Sequence, residues 1–155
     1  MADARNETAR PADASPPAQF KVDALDHLVV NVADVSVSVE WYVRVLGMTR
    51  EDSDDRTGRP SRTSVTFGRQ KINLRPVAAS KNDWFTANQA VAGSDDLCFV
   101  TESSPGIVVE HLRACGVAVE LGPVSRVGAR GEMTSVYCRD PDGSLIEIAT
   151  YGENG

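Results

Sequence analysis

Several things are scarce in this 155-residue sequence, and each scarcity excludes something. No apolar run approaches the roughly 20 residues that a membrane-spanning helix needs, so no membrane partner is expected. Basic residues are in the minority, with 16 Lys and Arg against 22 Asp and Glu. The formal net charge of -6 leaves no basic stripe to neutralise a phosphate backbone, and no nucleic-acid partner is expected. Cysteine is limited to three residues, none in CxxC spacing. Reduced, mostly buried thiols in a cytoplasmic protein are the expectation. Histidine occurs only twice, and no second His stands where it would activate Cys98 as a nucleophile. Residues 1–19 lack the hydrophobic stretch of a secretory signal and any apolar period; a disordered tail is expected there, with a short second tail over 152–155.

What is present is a near-repeat. Asp26-His27-Leu28-Val29-Val30 is echoed by Asp95-Asp96-Leu97-Cys98-Phe99, Thr63-Ser64-Val65 by Thr134-Ser135-Val136, and Ile72-Asn73-Leu74 by Ile146-Glu147-Ile148. The blocks keep their order at offsets of about seventy residues, as two copies of one unit would. The repeat pairs His27 with Asp96 and Asn73 with Glu147. A pseudo-twofold axis makes such equivalent residues neighbours wherever they face it.

Periodicity gives each unit the order β-α-β-β-β. Strands are expected at Leu25–Val32, Met48–Ser53, Ser64–Phe67 and Lys71–Arg75 in the first unit. A helix follows Asp34 as N-cap and stops at Gly47. Asp54–Arg62 reads as a loop. In the second unit, strands are expected at Asp95–Thr101, Val117–Leu121, Met133–Arg139 and Leu145–Thr150. A helix starts at Ser104-Pro105 and ends at Gly116, and Gly122–Glu132 reads as a loop. The whole is one α+β domain over 20–151, with module one at 24–77, a linker at 78–93 and module two at 94–150. Trp84 and Phe85 are the expected anchors of the linker.

Strand alternation puts His27 and Val29 on the face away from the helix, with Asn73 and Arg75 sharing a face. His nitrogen with Asp and Glu oxygens is a reasonable donor set for a borderline or hard divalent ion: zinc, nickel, manganese or ferrous iron. His27, Asp96 and Glu147 are the candidate metal residues, and Glu147 is also the candidate proton carrier. Asn73, Arg75 and Arg126 are the candidate substrate-binding residues, Arg126 together with Arg130 on the loop expected to fold over the opening. Competing readings stand beside these. A lone strand His is more often a hydrogen-bonded packing residue, Glu147 fits an ordinary solvent-facing position, and Asp96 fits the turn before its strand. His111 reads as packing or surface.

Leu25-Asp26-His27-Leu28-Val29-Val30, Trp41-Tyr42-Val43-Arg44-Val45-Leu46-Gly47-Met48 and Asp140-Pro141-Asp142-Gly143-Ser144-Leu145-Ile146-Glu147 together resemble the vicinal oxygen chelate superfamily of glyoxalases, bleomycin-resistance proteins and extradiol dioxygenases. Phe67–Leu74 and Gly93–Phe99 are similar to its glyoxalase-domain-containing-protein-5-like branch. The resemblance spans residues 24 to 150. It implies paired βαβββ modules forming an open curved mixed sheet around a metal cleft, and usually a homodimer. His27 and Glu147 match the first and last metal positions. Asp96 stands where many members carry a second His, Asn73 where glyoxalase I carries Glu, and Arg75 where the closer branch often has His. A complete glyoxalase set and the dioxygenase triad are therefore both missing. The leading expectation is a metal-dependent, glyoxalase-like lyase or isomerase acting on a small oxygenated substrate that carries an anionic group. A non-catalytic small-molecule binding protein and an extradiol-type dioxygenase are the alternatives.

Overall fold

A computed structural model describes residues 18–53 and 61–152. The tail expected over 1–19 falls outside these residues apart from its last two, as do most of the Asp54–Arg62 loop and positions 153–155. The elements run β1 (His27–Val32), α1 (Val35–Leu46), β2 (Thr49–Ser53), β3 (Arg62–Phe67), β4 (Gln70–Pro76), β5 (Asp96–Val100), α2 (Pro105–Ala114), β6 (Leu121–Gly128), β7 (Gly131–Arg139) and β8 (Leu145–Tyr151). The same βαβββ order occurs twice, as the repeat requires. Each module forms an open four-stranded mixed sheet, ordered β1-β4-β3-β2 and β5-β8-β7-β6. The first strand of each module pairs parallel with the last, and the remaining ladders are antiparallel.

Local chemistry sets the helix ends. The Asp34 carboxylate accepts from the backbone N–H groups of Ser36 at 2.8 Å and Val37 at 3.1 Å, satisfying donors that a helix start leaves open. Gly47 closes α1 in the left-handed region at φ 66°, where a Cβ would be strained. Ser104 caps α2 ahead of Pro105, whose missing N–H costs nothing at that position.

The helix-side faces of both sheets meet in one core. Val30, Val32, Ile72 and Leu74 from the first module and Val136, Cys138, Ile146 and Ile148 from the second belong to a single buried cluster with Tyr42, Val45 and Leu112 of the helices. Polar contacts join α1 to α2 and to Cys115, which caps it. Arg44 donates to the Cys115 carbonyl at 2.8 Å, and His111 Nε2 lies 2.9 Å from the Val45 carbonyl, which makes His111 a packing residue as read. The Asp140–Ser144 turn ties the second module to the first. Asp140 accepts from the Tyr42 hydroxyl at 3.1 Å and from the N–H groups of Asp142 and Ser144, while Asp142 accepts from Ala33 N–H at 3.1 Å. Burial, with Asp140 alongside, holds the Tyr42 phenol far above its ordinary value, so it stays a donor.

Four expectations fail. The strand expected at Val117–Leu121 is irregular until Leu121, and the loop expected at Gly122–Glu132 is mostly β6 with a tight turn into β7. Its glycines mislead because they mark close approach rather than a loop. A Cβ on Gly122 would lie 2.5 Å from the Ser135 carbonyl oxygen, and one on Gly128 would lie 2.3 Å from the Tyr151 hydroxyl. Of the two expected linker anchors, Trp84 is 8% exposed but Phe85 is 92% exposed. Cys98, expected to be buried, is exposed. Among the described residues, no helix is long and apolar enough to cross a membrane.

Candidate functional site

Strand period two gives each sheet a second face, turned away from the shared core, and the polar candidates stand there. In the first module the register sets His27 beside Lys71 and Val29 beside Asn73, with Ser64 opposite Asn73 and Glu51 opposite Ser64. A cavity of about 370 Å³ lies over this face, lined by His27, Asn73, Ser64, Lys71, Arg62 and Glu51 among others. Its floor is polar and buried: Ser64 and Asn73 are 4% and 9% exposed. His27 Nδ1 sits 2.6 Å from the Asp26 carboxylate, an arrangement that fixes an imidazole tautomer and leaves Nε2 outside that contact.

The matching face of the second module carries Glu147. Cys98 and Tyr137 flank it on the adjacent strands. The Ser135 hydroxyl donates to Glu147 Oε1 at 2.5 Å. Arg126 Nε donates to the Tyr137 hydroxyl at 3.1 Å, and its guanidinium lies over the Tyr137 ring. Partial burial and the neighbouring carboxylate push the Cys98 thiol up to about 11, so it is not a thiolate nucleophile at neutral pH.

The predicted residues are thus divided. His27 and Asp96 line one cavity of about 220 Å³ where the modules meet, together with Lys71 and Cys98. Glu147 lines neither that cavity nor the larger one. Among the described residues, no group of three or more His, Cys, Asp or Glu side chains is gathered to hold a metal ion.

A family model of the Glyoxalase/Bleomycin resistance protein/Dioxygenase superfamily matches residues 24–148. The chain belongs to that superfamily. It is 40% identical over 133 residues to virulence protein STM3117 of Salmonella typhimurium, covering 86% of this chain and 88% of that protein. It is 41% identical over 135 residues to glyoxalase domain-containing protein RDO1 of Mycosarcoma maydis, covering 86% of this chain and 71% of that one. An integron cassette protein from the mobile metagenome of V. cholerae has a solved structure that superposes with TM-score 0.79 at 40% identity, over 86% of this chain and 98% of that chain.

Against this superfamily scaffold, two substrate candidates stand differently from their expected places. Arg75 is not displayed in a cleft. It is 1% exposed, donates to Asn31 Oδ1 at 3.2 Å, and also donates to the carbonyls of Pro76 and Ala79, so it anchors the linker. Arg126 is on a strand rather than a mobile loop, and it reaches the second polar face through Tyr137. Ser64, Lys71, Ser135 and Tyr137 stand on the same two faces and lie outside the expected set. Ser64 and Ser135 are repeat equivalents, and that symmetry was the signal that could have found them.

Proposed function

We propose that this chain is a metal-dependent, glyoxalase-like enzyme that works as a homodimer on a small oxygenated, anionic substrate. The observation that carries the reading is the division of donors. His27 stands on the outer face of one sheet with its Nδ1 tied to Asp26, and Glu147 stands on the outer face of the other, oriented by Ser135. One chain alone does not gather a full donor set among the described residues. A second copy completes it when the first face of one chain meets the second face of its partner. Phe20 and Val22, just ahead of β1, are 80% and 85% exposed, which is apolar surface suited to such an interface.

His27 and Glu147 would hold the ion, with Asp96 as a third donor. A zinc, nickel, manganese or ferrous ion bound there supplies Lewis-acid polarisation of a substrate oxygen. The residues do the rest. Glu147 takes a proton from substrate carbon and returns it. Ser135 holds one carboxylate oxygen in place, and Tyr137, steered by Arg126, presents a phenol beside it. The division of donors also favours a second reading, in which the same faces bind a small molecule without chemistry.

The test is complementation. Elemental analysis of protein purified without added metal is expected to find a stoichiometric ion, lost in His27→Ala and in Glu147→Gln. Refolding the two variants together is expected to restore binding in the mixed dimers, because one of the two shared sites then keeps both native residues. Ion binding without restoration would place the site within one chain. No affinity for any divalent ion in the native protein would leave the binding-protein reading.

A further inference from the structure

The cavity over the first sheet contains a feature that metal ligation does not use. Asn73 is nine-tenths buried, yet its amide has no hydrogen-bond partner among the described residues, and its remaining surface lines the cavity. Ser64 lies directly opposite it across the β3–β4 ladder. Strand geometry then places two cations around this polar floor. Lys71 precedes Asn73 by two residues on β4, and Arg62 precedes Ser64 by two on β3. Because the strands are antiparallel, the two cations bracket the Asn73–Ser64 pair from opposite ends, on the same face. His27 stands beside Lys71.

Arg62 does not project at random. Its guanidinium lies over the Trp84 ring, 4.2 Å from the centroid. Trp84 is buried in the linker, and the linker is anchored by Arg75 through the Pro76 and Ala79 carbonyls. Arg75 thus holds the start of the linker that carries Trp84, and Arg62 packs on Trp84 at the cavity. Two carboxylates line the same cavity: Asp26 is engaged by His27, and Glu51 stands opposite Ser64 on β2, where its charge opposes an anion and is outnumbered by Lys71 and Arg62 together.

We infer that Asn73 and Ser64, bracketed by Lys71 and Arg62, recognise a compact oxyanion, a carboxylate or phosphate group, on the molecule this protein takes. The inference rests on the functional reading above and names the group by which its substrate is held. The Asn73 amide donates to the anion's oxygens, the Ser64 hydroxyl, which otherwise donates to the Glu51 carbonyl at 3.2 Å, turns to join it, and the two cations compensate its charge. A cavity of about 370 Å³ is near the small end of sites for small molecules, typically about 300–1,000 Å³.

The sequence has two tryptophans, Trp41 in the core and Trp84 under Arg62, so 5-fluorotryptophan labelling provides a reporter and an internal control. Trp84→Phe assigns the two fluorine signals. Titration with inorganic phosphate, and separately with acetate, is expected to shift the Trp84 signal saturably and leave Trp41 in place. The arm that saturates at the lower concentration identifies the preferred oxyanion. Arg62→Gln is expected to weaken binding at least tenfold, Lys71→Gln severalfold, and Arg62→Lys less than Arg62→Gln. An unchanged Trp41 signal shows that each variant is folded. No saturable shift with either anion, or an affinity indifferent to Arg62→Gln and Lys71→Gln, would overturn the inference. The titration is run on metal-free protein. Anion binding with no ion uptake would sink the functional reading alone, and ion uptake with no anion binding would sink this one alone.

Discussion

The two modules share a chain path and differ in what they do with it. Helix α1 buries Ser38, Val39, Trp41, Tyr42 and Val45, whereas α2 buries only Val108 and Leu112. The first sheet presents an imidazole and a polar floor between cations. The second presents a carboxylate among hydroxyl, phenol and thiol groups. The residues that face the shared core are apolar in both modules, because burial removes them from water. The outward faces are free of that constraint, and there the two modules carry unlike side chains.

The comparison can be broken most forcefully at the core. If the modules share one core, Leu112→Ala in α2 should destabilise the whole domain by about 2–5 kcal/mol, and both modules should unfold in one calorimetric transition. Two separate transitions would show that the modules are independent units. A smaller effect is expected at the clamp between them. Asp140→Ala removes acceptors for Tyr42, Asp142 and Ser144 and leaves a buried phenol unpaired, a loss of about 1–3 kcal/mol measurable by urea denaturation. Tyr42→Phe should cost less, since it removes the donor as well as the contact. The smallest effect sharpens the contrast between the helices. Asp34→Ala and Ser104→Ala each remove an N-cap, at about 0.5–2 kcal/mol. The first should cost more, because Asp34 accepts two N–H groups at 2.8 and 3.1 Å while Ser104 accepts one at 3.5 Å. Equal losses would show that cap geometry does not separate the modules.

Much of this was legible in the chain. Both helices appear with their caps because Asp34, Gly47 and Ser104-Pro105 act through bonds that reach only a few residues. Period-two alternation puts His27 with Val29 and Asn73 with Arg75, and the parallel register of β1 and β4 joins the two pairs on one face. Arg75 was misread because alternation gives the face but not what lies over it. The linker that covers it has no period of its own. The hairpin of β6 and β7 was misread because glycine signals a loop locally, while Gly122 and Gly128 are required by side chains and backbone from other strands.

The order of residues by itself therefore determined the repeated βαβββ plan, the helix ends and the polar set, all consequences of short-range bonding and strand alternation. Only the tertiary structure decided how that set is distributed. The shared apolar core draws the helix-bearing sides of both sheets together, and that turns each polar face outward on its own module, with His27 on one and Glu147 on the other. Which distant residues become neighbours follows from how the two apolar sides pack, and no local pattern encodes that.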